Sequence, residues 1–399
     1  MKILHVYKTY FPDTQGGVEE VIRQICLNTR PFGLESRIFT LSGSPTPKVI
    51  SSSEGDIVRS KRNFEIVSTG FSLEAFSEFK RQTDWADIIH YHFPWPFADL
   101  LHSSLAKGKK SVVTYHSDII RQKKMNWFYR PLMQQFLSSV DHIVVTSSNY
   151  LASSEILSEY REKITVIPIG LSESPFLEND VDSICMRQVE NRYGVGYYLF
   201  VGVLRYYKGL HFLLEAMKGA PFKLIIAGTG PEEKRLHQQV KDQGLDNVEF
   251  VGFVNDEVKA ALISHSKAVV LPSHLRSEAF GVSLVEAAMY GKPMISTEVG
   301  TGTSYINLHQ KTGLVVEAGN TKLLREAMEK LNADKAICSI FSEQARLRYQ
   351  KLFTGKKMGE SYIHLYSELG QIKLDDLRPL STDGIPVIAE PKSMRGYYL

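Results

Sequence analysis

The segment SEAFGVSLVEAAMYGKP contains two glutamates, Glu278 and Glu286, with seven residues between them. Ribose and sugar hydroxyls can donate hydrogen bonds to such carboxylates without neutralising them. Gly281 lies where a loop becomes a helix, so free backbone N–H groups and the positive end of the helix dipole face the same crevice. These features indicate a nucleotide-sugar site, and the alternative is two unrelated surface glutamates.

The helix that carries Glu286 is predicted to be buried on most sides, because it has no broad polar face. A lone carboxylate in such a helix needs a partner. The apolar residues of this helix are Val282, Leu284, Val285, Ala287, Ala288 and Met289.

A second set of charges lies in YLFVGVLRYYKGL, where Arg205 and Lys208 occupy a loop between a predicted strand and a helix. Two cations at this spacing can neutralise a diphosphate leaving group, the arginine as a planar fork and the lysine as a point charge. The alternative is an ordinary solvated loop.

Two glycine pairs and one histidine also follow predicted strands. Gly16 and Gly17 precede a helix, where they let a backbone approach a phosphate or a sugar, but they do not form the G-x-G-x-x-G pattern of dinucleotide sites. Gly228 and Gly230 in AGTGP either contact a ligand or only shape a tight turn. His116 can donate to a sugar hydroxyl or to a developing charge, although a lone histidine can also be structural.

We predict no metal site. His90 and His92 alternate along one strand, so only one of them can face a given side of the sheet. Asp180 and Asp182 form a D-x-D pattern without an adjoining strand, which is typical of a solvated linker.

Composition restricts the class of protein. The chain has 399 residues, of which 43% are hydrophobic and 23% are charged, as expected for a globular protein of two or more domains. A net charge of +3 gives no support for a nucleic-acid partner. The three cysteines are far apart and indicate a reducing cytosol, with neither a disulfide framework nor a zinc site. We expect no signal peptide and no transmembrane helix, so any membrane contact is peripheral.

Short apolar runs alternate with amphipathic stretches, which predicts an α/β fold with two doubly wound parallel sheets facing one another across a cleft. In the first half the predicted strands are Ile3 to Tyr7, Ser36 to Leu41, Ile88 to His92, Ser111 to Tyr115, His142 to Thr146 and Ile164 to Ile167. In the second half they are Tyr198 to Gly202, Lys223 to Ala227, Val248 to Val251, Ala268 to Leu271, Pro293 to Thr297 and Gly313 to Val316. The domain boundary is expected between Gly170 and Gly196, where the chain becomes polar and contains proline.

From Met1 to about Leu369 the chain resembles glycosyltransferases of the GT-B fold, in the large retaining family called family 4. The resemblance is in the order of the motifs: the glycine loop, His116, the Arg205 and Lys208 loop, the A-G-T-G-P turn and the E-x7-E motif. It implies an acceptor-binding Rossmann-like domain over residues 1–175 and a nucleotide-sugar domain over 190–350. A helix near 355–370 is expected to pack back on the first domain, and 371–399 to form an irregular tail.

The resemblance also implies roles for single residues. Gly16 and Gly17 lie near the donor diphosphate, and His116 contacts the donor sugar near C6. Arg205 and Lys208 hold the diphosphate. Glu278 binds sugar hydroxyls and Glu286 binds the ribose. The backbone amides that assist Glu278 are those of Ala279, Phe280 and Gly281, and a metal is usually not needed.

The sequence departs from the family pattern at two places. The usual arginine of V-G-R-L is replaced by Val203, and Arg205 follows two residues later. The usual G-G-x-x-E-x-I is replaced by VGTGTSYIN, which keeps Gly300 and Gly302 but lacks the acidic residue.

TYHSDIIRQKKMNWFYRPLMQQFL resembles bacterial members of the family that build surface polysaccharides on a lipid carrier. The expected reaction is α-mannosyl transfer from GDP-mannose to a lipid-linked oligosaccharide in O-antigen synthesis. UDP-glucose, UDP-galactose and UDP-N-acetylhexosamine are alternative donors, and a non-catalytic binding subunit is the alternative class. Basic and aromatic residues between Arg121 and Arg130 suit an anionic lipid interface, and the alternative is a core helix whose aromatics pack inward while the charges are solvated. We expect a cytoplasmic protein, and the first of these alternatives would place it on the inner face of the membrane.

Overall fold

The computed structural model describes residues 1–66, 69–119, 123–174 and 184–373, with the backbone alone for residue 66 and residues 123–128. The predicted D-x-D pattern and nearly all of the predicted tail lie outside the described residues. Of the basic and aromatic segment between Arg121 and Arg130, the side chains of residues 121–128 lie outside the description.

The strands are mostly short and buried. They are β1 (Lys2–Val6), β2 (Glu35–Ser42), β3 (Val49–Ser52), β4 (Gly55–Lys61), β5 (Phe64–Ile66), β6 (Thr69–Phe71), β7 (Ile88–Phe93), β8 (Ser111–Tyr115), β9 (His142–Val145), β10 (Ile164–Val166), β11 (Tyr198–Val201), β12 (Leu224–Ala227), β13 (Val248–Gly252), β14 (Ala268–Leu271), β15 (Met294–Glu298) and β16 (Gly313–Glu317).

Helices connect most of these strands. They are α1 (Gly17–Thr29), α2 (Glu74–Trp85), α3 (Pro96–Leu101), α4 (Lys123–Ser139), α5 (Ser148–Ser153), α6 (Ile184–Tyr193), α7 (Leu210–Ala216), α8 (Glu233–Asp242), α9 (Asp256–His265), α10 (Val282–Met289), α11 (Gly302–Ile306), α12 (Thr321–Ala333), α13 (Lys335–Leu352) and α14 (Gly355–Gly370). Within the described ranges, no helix combines the length and the apolar character that crossing a bilayer takes.

The two large sheets confirm the predicted α/β class with two Rossmann-like domains. One has the order β10-β9-β8-β7-β1-β2-β4-β3 and the other β13-β12-β11-β14-β15-β16. The second sheet is parallel in every recorded pairing. Its central strands β11, β12 and β14 are buried along most or all of their length. All twelve predicted strands are found within one or two residues. The central strands are covered on both faces and therefore have continuous apolar runs.

The strands that were not predicted lie between residues 49 and 71. β3 pairs antiparallel with β4 at the edge of the first sheet, and β5 pairs antiparallel with β6 as a separate hairpin. The sequence SSSEGDIVRSK is rich in serine and charge, so it has no apolar run to signal a strand. β4 instead obtains its burial from pairing with β2, where Ile57 lies opposite Ile38.

The chain folds as two compact units. Among the described residues, the first unit comprises Met1–Tyr91, Phe97–Ser111 and residues 359–373, and the second comprises His92–Pro96 and those within Val112–Met358. In the first unit, the hydroxyl oxygen of Tyr366 on α14 lies 2.6 Å from Nδ1 of His90. The predicted boundaries at 175 and 190 remain a prediction.

Helix α10 has the environment that its sequence predicts. Leu284, Val285, Ala287, Ala288 and Met289 are buried, whereas Glu286 is only partly covered. Gly281 precedes the helix with φ of 96°, in the left-handed region that side chains other than glycine rarely adopt. The glycine therefore sets the angle at which the chain enters the helix.

Candidate functional site

Most of the predicted site residues of the second unit lie on loops that follow β11, β12 and β14. Because neighbouring strands are parallel, these loops emerge at the same edge of the sheet. The loop after β11 carries Arg205 and Lys208, and the loop after β14 carries Glu278. The fold therefore brings to one edge charges that are far apart in the sequence.

Lys208 and Glu278 form an ion pair. Lys208 Nζ lies 2.5 Å from Glu278 Oε2, which also accepts a hydrogen bond from Ser273 Oγ at 3.0 Å. The side chains are only 12% and 9% exposed. Burial lowers the pKa of Lys208, but the Glu278 carboxylate more than offsets this, so that the pKa lies above its ordinary value. The Lys208 ammonium therefore stays protonated while it contacts the Glu278 side chain in a largely desolvated place.

Arg205 occupies the same loop but differs from Lys208 in its surroundings. Its side chain is exposed, and within the described part of the chain it forms no ion pair. Its charge acts on Lys208 and opposes the rise in the lysine pKa, which indicates that the two cations are near each other. Val203, in the position of the usual family arginine, is also exposed. The loop thus offers one ion-paired cation and one solvated cation.

Packed rings support this loop. The ring of Tyr206 stacks on His211 with centroids 5.2 Å apart and meets His274 edge-on at 4.9 Å. The backbone N–H of His274 donates to the carbonyl of Tyr207 at 2.9 Å. Burial lowers the pKa of both histidines. Neutral rings therefore link the loop after β11 to the loop after β14, a link that the sequence did not reveal.

The amides predicted to assist Glu278 lie just before α10. Among the residues that the structure describes, the backbone N–H groups of Ala279, Phe280 and Gly281 donate no hydrogen bond. The Phe280 side chain is buried, and the Ala279 carbonyl accepts from Gly302 N at 2.9 Å. A Cβ added to Gly302 would lie 2.7 Å from Phe280 Cα, so this retained glycine permits the close approach of the two loops. The three donors are available for an anion or a sugar oxygen.

Glu286 has a partner that the sequence analysis missed. Lys259 Nζ on α9 lies 2.8 Å from Glu286 Oε1 and 2.9 Å from Asp256 Oδ1. Burial lowers the pKa of Lys259, but the two carboxylates raise it further, and the net shift is upward. The Asp256 to Lys259 spacing could have suggested a helical ion pair, but nothing local connects Lys259 to Glu286.

Gly228 and Gly230 have a packing role. A Cβ on Gly228 would lie 2.1 Å from the carbonyl oxygen of Gly202, and one on Gly230 would lie 2.6 Å from that of Leu204. The loops after β11 and β12 therefore touch backbone to backbone. Of the two possibilities given by the sequence, shaping the turn has a direct structural reason, whereas ligand contact stays a prediction.

His116 is buried beside a second histidine. Its Nε2 atom lies 3.0 Å from His92 Nδ1, and the two rings stack with an angle of 18° between their planes. Burial lowers the pKa of His116 to about 3. The imidazole is therefore neutral at physiological pH and can hold a sugar oxygen without bringing a charge. His92 and His90 have different partners, His116 for the first and the Tyr366 hydroxyl for the second.

Gly16 and Gly17 belong to the first unit. Glu19 accepts hydrogen bonds at Oε1 from Thr9 and Thr14, both at 2.9 Å. A Cβ on Gly16 would lie 2.6 Å from Glu19 Oε2, whereas one on Gly17 would meet nothing within 4 Å. A buried carboxylate thus orders the glycine loop at the start of α1, and Gly16 is the glycine that it requires.

The chain was then compared with known proteins. Residues 15–174 match the family described as Glycosyltransferase Family 4, and residues 186–348 match Glycosyl transferases group 1. The chain is 47% identical over 354 residues to the D-rhamnosyltransferase WbpZ of Pseudomonas aeruginosa, covering 89% of this chain and 92% of that one. It is 43% identical over 375 residues to the O-antigen chain mannosyltransferase C of Escherichia coli, covering 94% of this chain and all of that one.

Solved structures agree on the fold. Sucrose-phosphate synthase from Thermosynechococcus elongatus superposes with a TM-score of 0.77 at 22% identity, covering 92% of this chain and 98% of that one. Anabaena Alr3699/HepE in complex with UDP superposes with a TM-score of 0.76 at 17% identity, covering 92% of this chain and all of that one.

Proposed function

The chain belongs to glycosyltransferase family 4, and from that premise we propose that it is a retaining hexosyltransferase of O-antigen synthesis whose donor is GDP-mannose. The observation that carries the proposal is the contact between Lys208 and Glu278, beside three backbone donors.

In the proposed site, Lys208 and Arg205 bind the donor diphosphate, and Glu278 accepts hydrogen bonds from hydroxyls of the sugar. Glu286 binds the ribose. Neutral His116 lies near C6 of the sugar. Lys208 and His116 then have the charges that these tasks require, because the pKa of Lys208 is raised and that of His116 is lowered.

The proposed step is a front-side displacement. The bond from the anomeric carbon to the phosphate oxygen breaks, and the acceptor hydroxyl oxygen bonds to that carbon on the same face. The hydroxyl proton passes to the departing diphosphate. Lys208 and Arg205 stabilise the charge that grows on this phosphate, and by analogy with other preorganised groups each contributes about 2 to 4 kcal/mol to the barrier reduction.

The two similar relatives favour a mannose-type sugar. D-rhamnose is 6-deoxymannose, so a mannosyltransferase and a D-rhamnosyltransferase act on sugars that differ only by the hydroxyl at C6. The 47% identity to a D-rhamnosyltransferase makes nucleotide-activated D-rhamnose the second candidate donor.

A donor panel tests the function. The purified full chain is incubated with GDP-mannose, GDP-D-rhamnose, UDP-glucose, UDP-galactose and UDP-N-acetylglucosamine, with and without a lipid-linked glycan acceptor. We expect GDP-mannose to give the highest kcat/KM and an α-linked product by NMR. Transfer from a UDP donor alone would overturn the donor assignment, a β-linked product would overturn retention, and binding without transfer would favour the binding subunit.

We also propose that no divalent metal is needed, since lysine and arginine supply the positive charge at the diphosphate. The test is transfer in excess EDTA, which we expect to match the untreated rate. Activity that is lost in EDTA and restored by magnesium or manganese would contradict this.

The proposed acceptor is lipid-linked, and the segment from Arg121 to Arg130 is proposed to contact anionic lipid. Sedimentation with anionic liposomes should be measured at low and high salt, with neutral liposomes as control. Binding should weaken with salt, because exposed charges are screened within about 10 Å at 0.1 M. Equal sedimentation with anionic and neutral liposomes would contradict the proposed electrostatic contact with anionic lipid.

A further inference from the structure

Asp118 and Arg276 form an ion pair between two loops of the second unit that carry proposed site residues. Arg276 Nη2 lies 3.3 Å from Asp118 Oδ2. Asp118 is two residues after His116, and Arg276 is two residues before Glu278. The pair therefore joins the segment 116–119 to the loop 272–281, here called the Glu278 loop.

Both partners are held by further hydrogen bonds. Asp118 Oδ1 accepts from Tyr115 Oη at 2.9 Å and from Ser154 Oγ at 3.2 Å. The backbone N–H of Asp118 donates to Tyr150 Oη at 2.6 Å, and the Arg276 guanidinium lies over that ring, 5.2 Å from its centroid. The carboxylate and the guanidinium are thus fixed in orientation from several sides.

Arg276 also reaches a third loop. Its Nη1 donates to the carbonyl of Gly300 at 3.0 Å, and the same oxygen accepts from Ser153 Oγ. A Cβ at Gly300 would lie 3.0 Å from Nη1, and its φ is +68°. Glycine at this position therefore leaves room for the guanidinium, which explains why VGTGTSYIN keeps Gly300 although it lacks the usual acidic residue.

The pair has little to contribute to stability. The Arg276 and Asp118 side chains are 31% and 18% exposed, and ion pairs that water reaches are worth about 0 to 1 kcal/mol. Five polar contacts that add so little to the free energy of unfolding are better explained by a role in positioning the two loops. A misplacement of about 1 Å in a reacting geometry can cost about 10²-fold in rate.

Resting on the proposed function, we infer that Asp118 and Arg276 are positioning residues that hold the Glu278 loop in register with His116. Their role is to fix where Glu278 and the free amides before α10 lie relative to the imidazole. A planar fork suits this task, since Arg276 contacts Asp118 with one nitrogen and Gly300 with the other.

The test is a double-mutant cycle in the full chain with Asp118→Asn, Arg276→Met and both together. Each single variant should lower kcat for transfer about 10- to 100-fold while the donor KM changes less than about threefold. The double variant should be no slower than the slower single variant, because both changes break one link. Arg276→Lys should recover part of kcat.

The matched control is Arg325→Met, which removes another partly exposed arginine of the same unit. Like Arg276 it forms an ion pair, with Glu329 at 2.7 Å, and donates to a backbone carbonyl, that of Ala216 at 2.9 Å. It should keep kcat within about twofold, as surface substitutions away from a site usually do. Parent-like kcat in both single variants, or losses that multiply in the double variant, would overturn the positioning role.

A second measurement does not depend on turnover. Hydrogen–deuterium exchange of the peptide 272–281 should rise in Asp118→Asn and stay at the parent level in Arg325→Met. Unchanged exchange in Asp118→Asn would overturn the inference even if the donor were unknown. If the parent transfers no sugar from any donor while exchange responds as expected, the proposed function fails and the loop contact stands.

Discussion

The two glutamates of the motif occupy different environments although they are the same residue type. Glu278 lies in a loop and contacts Lys208 and Ser273, and its side chain is 9% exposed. Glu286 lies within α10 and is 15% exposed, and it shares Lys259 with Asp256, which is 79% exposed. The Glu278 end of the E-x7-E motif is a fixed ion pair with Lys208, whose charges can act on a reaction. The Glu286 end is a more exposed network with Lys259, which is suited to holding a ligand.

This contrast assigns the ends to different kinetic parameters. Groups that meet a charge developing in the transition state change kcat, whereas groups that bind substrate and transition state equally change KM. We therefore expect substitutions at the Lys208 and Glu278 end to lower kcat, and those at the Lys259 and Glu286 end to raise the donor KM.

The largest effect is expected for Glu278→Gln, which should lower kcat/KM about 10³-fold because the charge is lost with little change in shape. The variant should remain folded, but leaving Lys208 nearly buried without its partner should cost about 3 kcal/mol in urea unfolding. The double variant Glu278→Gln with Lys208→Met should regain stability but not activity. A parent-like kcat/KM in Glu278→Gln would contradict the proposed contact between Glu278 and the donor sugar.

Lys208→Ala should lower kcat about 10²-fold, and by more than it raises the donor KM. The physical reason is that the charge on the phosphate that Lys208 meets grows as the bond breaks. Steady-state kinetics with varied donor measure both parameters. If Lys208→Ala changed only the donor KM, the Lys208 and Glu278 end would behave like the Lys259 and Glu286 end, and its assignment to kcat would be wrong.

Lys259→Met should raise the donor KM about tenfold and leave kcat within about threefold, since Glu286 loses the group that orients it. Lys223→Met is the matched control, because Lys223 pairs with Glu249 at 2.8 Å with both side chains more than one third exposed. The control should keep both parameters within about twofold. A kcat loss in Lys259→Met that equals the loss in Lys208→Ala would contradict the assignment.

The smallest effect is expected from pH. The pKa values of Lys208 and Lys259 are both raised by their carboxylates, so both stay protonated in the folded protein above the ordinary lysine value. Their stabilising contribution is fully present below that value and is lost only as pH rises through the folded pKa. kcat and KM should therefore lack a lysine-dependent change between pH 7 and 9. A fall in kcat that Lys208→Ala abolishes would show that Lys208 loses its proton there.

Much of the second sheet could be predicted from the sequence. Strands such as Ala268–Leu271 and Leu224–Ala227 are short apolar runs between turn residues, and burial on both faces makes such runs visible. β3 and β4 could not be predicted, because serine-rich strands gain their burial from a neighbouring strand. Gly281 was identifiable, since a glycine before an apolar helix is a local feature.

The sequence by itself determined the kinds of charged groups in the site and the strand ends that carry them, because periodicity and turn residues act over a few positions. Only the tertiary structure decided which charges meet. Lys208 and Glu278 are 70 residues apart, and Asp118 and Arg276 are 158 apart. Such pairings depend on which strands become neighbours and on how their loops turn. Lys259, and the contact of His92 with His116, were missed for the same reason, since no local signal connects either residue to its partner.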